Sequence, residues 1–239
     1  MAKIGTHFHF KLFSVSHDRC SMKVGTDGVL LGAWAQVEGA QHVLDIGTGT
    51  GVIALMVAQR TTPATQIEGI ELDTDAAAQA KENVLASPWA SQLTIYATSL
   101  QRFQTDKKYD LVLSNPPYFL NSQEPPDEKR LQTRHAVTLT FTELLSHVSM
   151  LLTDEGTFNV ILPNTEGLHF MHLAAIHGLH LKRQWSFRTR VTKPIERWLM
   201  AFSKQFTATP EKGEILLYDQ GTQWSETYRQ LTRDFYLRA

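Results

Sequence analysis

Short apolar runs bounded by glycine, proline and polar clusters alternate along this chain with longer stretches whose apolar residues recur at helical spacing. Gln41–Ile46 is one such run. It ends in Gly47-Thr48-Gly49-Thr50-Gly51 and gives way to the apolar-rich Val52–Ala58, which predicts strand, glycine turn and helix. Gln66–Glu71, Leu93–Ala97 and Asp110–Leu113 predict three further strands, and Ala76–Ala86, dominated by helix formers, predicts a helix capped by Thr74 or Asp75. Phe141–Leu152 and Glu166–His177 predict helices, while Thr157–Leu162, Leu179–Phe187 and Arg197–Phe202 predict the remaining strands. Parallel strands need crossover helices, so this alternation implies an α/β sandwich: a largely parallel seven-stranded sheet with helices on both faces. The polar stretch 119–138 reads as a long loop of the kind that in compact domains tends to serve function. With no internal repeat or interdomain linker, residues 1–239 are expected to form a single domain.

Composition excludes several classes. A chain of 239 residues, 42% hydrophobic, is long enough to bury a core without metal or disulfide. The lone Cys20 fits a reducing compartment, and equally a secreted protein without bridges. The longest apolar run, Val52–Ala58, falls far short of the roughly 20 residues a membrane span needs, and His7, His9, Lys11, His17 and Asp18 interrupt any signal-peptide core. A cytoplasmic chain without membrane attachment is expected. His7 and His9 sit in an alternating Phe/His run that reads as an edge strand, and His169 and His172 share a helical face without a carboxylate or thiol partner, so no metal site is expected. The net charge of -1 conceals segregation, because residues 182–239 carry 11 basic and 6 acidic side chains.

Candidate chemistry gathers at strand ends. In open α/β sheets ligands bind beyond the carboxyl ends of the strands, where the glycine turn, Glu71, Ser99 and Asn115 all fall. Glycines at 47, 49 and 51 let the backbone turn tightly against a ligand and aim helix N–H groups at it, although a glycine triplet by itself is equally a plain turn. Val52 stands where the dinucleotide fingerprint needs glycine, which argues against NAD. Glu71, one strand on, is placed to accept both hydroxyls of a ribose. The run Asn115-Pro116-Pro117-Tyr118 follows an apolar strand directly. Its two prolines fix the backbone and leave carbonyls as directed acceptors, Asn115 adds a side-chain oxygen, and Tyr118 a flat stacking face. Such a set suits a planar group bearing an NH2.

These motifs resemble the S-adenosylmethionine-dependent methyltransferases that modify planar nitrogens, a Rossmann-like class I fold. The upstream block from Met22 to Trp34 and the segment Ser87-Pro88-Trp89-Ala90 bring the chain nearer to the branch that methylates N6 of adenine 37 in bacterial tRNA1(Val). The resemblance runs from about Phe8 to the carboxyl end and weakens after Pro163. It implies a cofactor site made by Thr26, Asp45, Gly47, Gly49, Gly51, Glu71, Ser99 and Leu100, with residues 1–40 as a cap over it. Ser99 stands where such families commonly place an Asp against the cofactor adenine, which predicts weaker cofactor affinity. Catalysis falls to Asn115, Pro116 and Tyr118. The Asn115 oxygen and the Pro116 carbonyl would hold the two amine hydrogens, and no strong base or metal is required.

The same resemblance implies tRNA as partner, with no obligate protein partner evident, and an extruded base stacked on Tyr118. Lys182, Arg183, Arg188, Arg190, Lys193, Arg197 and Lys204 face only Glu196 among acids in their window and become candidate phosphate contacts. Of these, Arg190, Lys193 and Arg197, together with Pro117, are the expected substrate-binding residues. Protein-glutamine N5, DNA adenine and ribosomal RNA guanine N2 methylation remain open on the motif, as does a noncatalytic RNA-binding role. The glutamine reading is disfavoured because the glycine turn begins too early to leave room for the helical substrate domain of that class.

Overall fold

The computed structural model describes residues 6–117 and 139–237. Strands β1 (His7–His9) and β2 (Ser14–Ser16) form an antiparallel hairpin of their own, and helix α1 (Thr26–Trp34) follows. The alternating core then begins with β3 (His42–Ile46), α2 (Val52–Arg60), β4 (Gln66–Glu71), α3 (Thr74–Leu85), β5 (Leu93–Ala97) and β6 (Tyr109–Ser114). It continues with α4 (Phe141–Leu151), β7 (Leu152–Pro163), α5 (Asn164–Ile176), β8 (His180–Arg188) and β9 (Arg197–Ser203), and closes with β10 (Glu211–Leu216) and α6 (Glu226–Thr232). The described residues include no helix long and apolar enough to cross a membrane.

One sheet takes eight of these strands in the order β10-β8-β9-β7-β6-β3-β4-β5. Pairing is parallel from β7 through β6, β3 and β4 to β5, antiparallel on both sides of β9, and parallel again between β8 and β10. The expected sheet of seven strands therefore gains one. In β10 the burial pattern leaves Ile215 as the one fully buried side chain, and the apolar run Ile215–Tyr218 overlaps only the strand's end. Side chains fasten it instead: Glu211 accepts from Arg183 and from the Trp185 indole at 3.0 Å, and Glu214 accepts from Arg188 Nε at 2.7 Å.

The sheet separates two cores, and side-chain alternation assigns residues to each. Val43, Leu111, Leu113, Ile161 and Leu199 join the cluster beneath α1, α2, α3 and α6, whereas Leu44, Val112, Val160, Leu162 and Met200 join the cluster beneath α4 and α5. The hairpin packs on the first side, where Phe8 and Phe10 lie within 6.2 Å of the Tyr236 ring. Two local details differ from expectation. Asp73 caps α3, its carboxylate accepting from the N–H groups of Asp75 and Ala76 at 2.9 Å, because it is the residue that keeps extended backbone before the helix. Strand β7 starts five residues early at Leu152, through an irregular stretch where Gly156 crosses so close to the Tyr109 carbonyl that a side chain there would collide with it.

Candidate active site

After β3 the chain proceeds to β4 on one side and returns to β6 on the other, so the sheet reverses direction between β3 and β6. A crevice opens at such a switch point, beyond the carboxyl ends of the strands. Both the glycine turn and Asn115 border it. Gly47, Gly49 and Gly51 have φ of 72°, 55° and 83°, the left-handed region that side chains disfavour. Space in front of Gly47 and Gly49 is open, with no atom within 4 Å of where a Cβ would stand.

Three side chains from outside the turn hold it. The Asp45 carboxylate accepts the Thr48 hydroxyl at 2.6 Å, Glu71 accepts the Gly49 N–H at 2.9 Å, and Asn83 donates to the Thr50 carbonyl at 2.9 Å. Asn83 also bonds both backbone groups of Ser16 and so ties the hairpin to the turn. The second Glu71 oxygen accepts the Asp73 N–H at 2.9 Å. Asp45 is fully buried, and its Oδ1 has no hydrogen-bond partner among the described residues. Burial pushes this carboxyl up to about 7, the Thr48 hydroxyl and the Ala54 N–H pull it down, and the Glu71 charge adds to the rise.

A cavity of about 430 Å³ lies against the turn. One wall is Gly47 to Thr50 with Val52 and Ile53; another is Met22, Lys23 and Gly25 to Gly28; Asn115 contributes from the end of β6. The far wall comes from the carboxyl half: Phe187, Thr189, Glu196, Arg197 and Leu217. Helices α1 and α2 both begin here, behind Gly25 and Gly51, neither of which provides a side-chain cap.

Residues 22–171 match the family described as the methyltransferase small domain. The chain belongs to this methyltransferase family. A tRNA1(Val) (adenine(37)-N6)-methyltransferase of Bacteroides thetaiotaomicron is 44% identical, covering 96% of this chain and 97% of its own. Proteins with the same description from Yersinia pestis and Klebsiella pneumoniae are 45% and 43% identical, over 98% and 96% of this chain and 94% of each of theirs. Among solved structures, a predicted O-methyltransferase of Agrobacterium tumefaciens is similar in fold, with a TM-score of 0.65 at 14% identity over 87% of this chain and 96% of that one.

The expected site residues of this methyltransferase divide into groups. Thr26, Gly47, Gly49 and Asn115 line the cavity together; Gly51 caps α2, and Asp45 and Glu71 hold the turn through their carboxylates. Pro116 is buried and Pro117 exposed, whereas Tyr118 and the 119–138 stretch lie outside the described residues. Ser99 precedes a 3-10 turn at Leu100–Arg102, and Leu100 is buried in the core under α4; neither lines the cavity.

The basic carboxyl half is less open to phosphate than its composition implied. Arg183 and Arg188 pair with Glu211 and Glu214 of β10, and Lys204 with Asp154. Arg197 points into the cavity and bonds Asp27 at 2.8 Å. Lys193 is exposed beside Arg190, which lies over the Tyr218 ring at 5.0 Å. Asp27, Asn83, Phe187, Thr189, Glu196 and Leu217 are site-forming residues that the sequence reading did not single out. The charged and apolar patterns around 187–217 look like ordinary strand ends until the sheet order is known. Glu196, whose partial burial favours the neutral form, is held ionised below the usual carboxylate range by bonds from Thr189 and the charges of Arg197 and Lys193.

Proposed function

We propose that the chain transfers a methyl group from S-adenosylmethionine to the exocyclic N6 of an adenine in tRNA, at adenine 37 of tRNA1(Val). The observation that carries this reading is Asn115 facing the same cavity as the glycine turn, in a chain 43–45% identical to enzymes so described along nearly its whole length. The cavity also suits the cofactor. Open space before Gly47 and Gly49 admits a ligand against the backbone, and the uncapped starts of α1 and α2 favour the carboxylate of an amino acid. Asp27 and Glu196 line the cavity together with Lys23 and Arg197, so its charged lining is balanced.

When bound, the cofactor supplies an electrophilic methyl group. The chain's own residues supply orientation. The Asn115 side-chain oxygen and the Pro116 carbonyl accept the two N6 hydrogens, which turns the nitrogen toward the methyl; Glu71 holds the ribose beside the turn. Positioning of this kind is the main source of rate where the product nitrogen sheds its proton readily. Arg190 and Lys193 serve the RNA backbone.

The test incubates the protein with methyl-labelled S-adenosylmethionine and tRNA from a strain lacking the modification, then digests the RNA and separates nucleosides by mass spectrometry. Labelled N6-methyladenosine from tRNA1(Val) is expected. Label absent from RNA but present on a protein glutamine would replace this reading with the glutamine one.

A further inference from the structure

Arg197 and Asp27 are 170 positions apart, yet the Arg197 Nε donates to the Asp27 Oδ2 at 2.8 Å and both line the cavity. Arg197 begins β9, and its Nη1 is also tied to the Glu196 carbonyl at 2.9 Å, which fixes the plane of the guanidinium. Asp27 follows Thr26 in the first turn of α1, a turn whose N-cap, Gly25, offers no side-chain bond. Upstream, residues 20–25 run without regular structure from the hairpin to this helix. The segment that walls the cavity beside the glycine turn thus reaches it as irregular backbone, and the ion pair ties its end to a strand of the sheet. The pair keeps 30% and 21% side-chain exposure, so it is partly desolvated and screened less than a surface pair.

We infer that Arg197 is a positioning residue for methyl transfer: through Asp27 it holds the first turn of α1, and Thr26 with it, against the glycine turn. This assignment rests on the proposed function and replaces the phosphate contact expected of Arg197 from its basic neighbourhood. Its side chain is already committed to a carboxylate that lines the cavity. The guanidinium fork gives Asp27 one fixed position, which a flexible ammonium would not.

A double-mutant cycle tests it. Asp27→Asn, Arg197→Gln and the double variant are compared for S-adenosylmethionine affinity by calorimetry, for tRNA affinity and its salt dependence, and for thermal unfolding. Each single variant should weaken cofactor binding about three- to tenfold, and the double should bind no worse than the weaker single, as two ends of one interaction require. tRNA affinity and its salt slope should match wild type. Additive losses in cofactor affinity would overturn the inference, as would normal cofactor binding with weaker tRNA binding and a salt slope reduced by about one, the mark of a phosphate contact. Should Arg197→Gln unfold at a lower temperature, Arg197→Lys decides: cofactor affinity between those of wild type and Arg197→Gln supports the pair, and unchanged tRNA affinity in Lys with cofactor affinity equal to wild type refutes the need for the fork. Wild-type protein that leaves tRNA unlabelled would remove the substrate reading while leaving the cofactor cycle interpretable.

Discussion

Asp45→Asn should reshape how stability depends on pH. The native carboxyl is fully buried, with one oxygen bonded to Thr48 at 2.6 Å and the other without a hydrogen-bond partner among the described residues, and burial pushes it up to about 7. In the unfolded chain it titrates near the ordinary value of about 3.9. Between these values the native state keeps a proton that the unfolded state has released. Stability therefore falls as pH rises, by at most about 1.4 kcal/mol per unit and about 4 kcal/mol in all, and the loss is complete once pH passes about 7. Asparagine keeps an acceptor for Thr48 and does not titrate. In urea denaturation at pH 5, 6, 7 and 8, the variant's stability relative to wild type should climb by roughly that slope up to pH 7 and then level off. A difference that stays constant from pH 5 to 8 would show that Asp45 is ionised throughout, and would refute the burial argument.

Asn115→Ala should cut transfer by about a hundredfold or more while cofactor affinity stays within several-fold of wild type; kinetics beside calorimetry check this, and normal turnover would remove Asn115 from the mechanism. Glu71→Gln should leave the Gly49 or the Asp73 N–H facing an amide N–H, costing about 1–3 kcal/mol and lowering the melting temperature by roughly 2–4 °C for each, with weaker cofactor binding; calorimetric scanning reads the first effect and titration the second. Reversing Arg190 and Lys193 to Glu should weaken tRNA binding and reduce its salt slope by about two, and an unchanged slope would return both to ordinary surface.

Sequence patterning located the interior of the sheet because strands covered on both faces read as apolar runs. Gln41–Ile46 and Asp110–Leu113 fall within a residue of β3 and β6, whose Val43–Ile46 and Leu111–Ser114 are buried, and at the sheet edge Leu93–Ala97 agrees with β5 to the residue through its alternation of buried and exposed positions. Patterning failed where side-chain bonds do the work of burial. In β10, Glu211, Lys212 and Glu214 give no strand pattern, although the two glutamates anchor the strand to Arg183 and Arg188. At the start of α3, Asp73, Thr74 and Asp75 are all competent caps, and only backbone geometry singles out the first. The glycine turn and Asn115 were visible as motifs, since each needs a residue type that its conformation or chemistry dictates. The Arg197 pairing was not legible because its partner Asp27 is remote in sequence, and a local charge count offers Glu196 as the one acid nearby.

The triple fastening of the glycine turn has a kinetic consequence. Asp45, Glu71 and Asn83 hold Thr48, Gly49 and Thr50 before any ligand arrives, so the turn enters the encounter already in its receiving shape. Cofactor capture then does not wait for this loop to order, and its association rate reports instead on the wall supplied by residues 22–28. The glycine turn is a fixed mould, and loosening residues 22–28 should slow arrival and hasten departure without altering it.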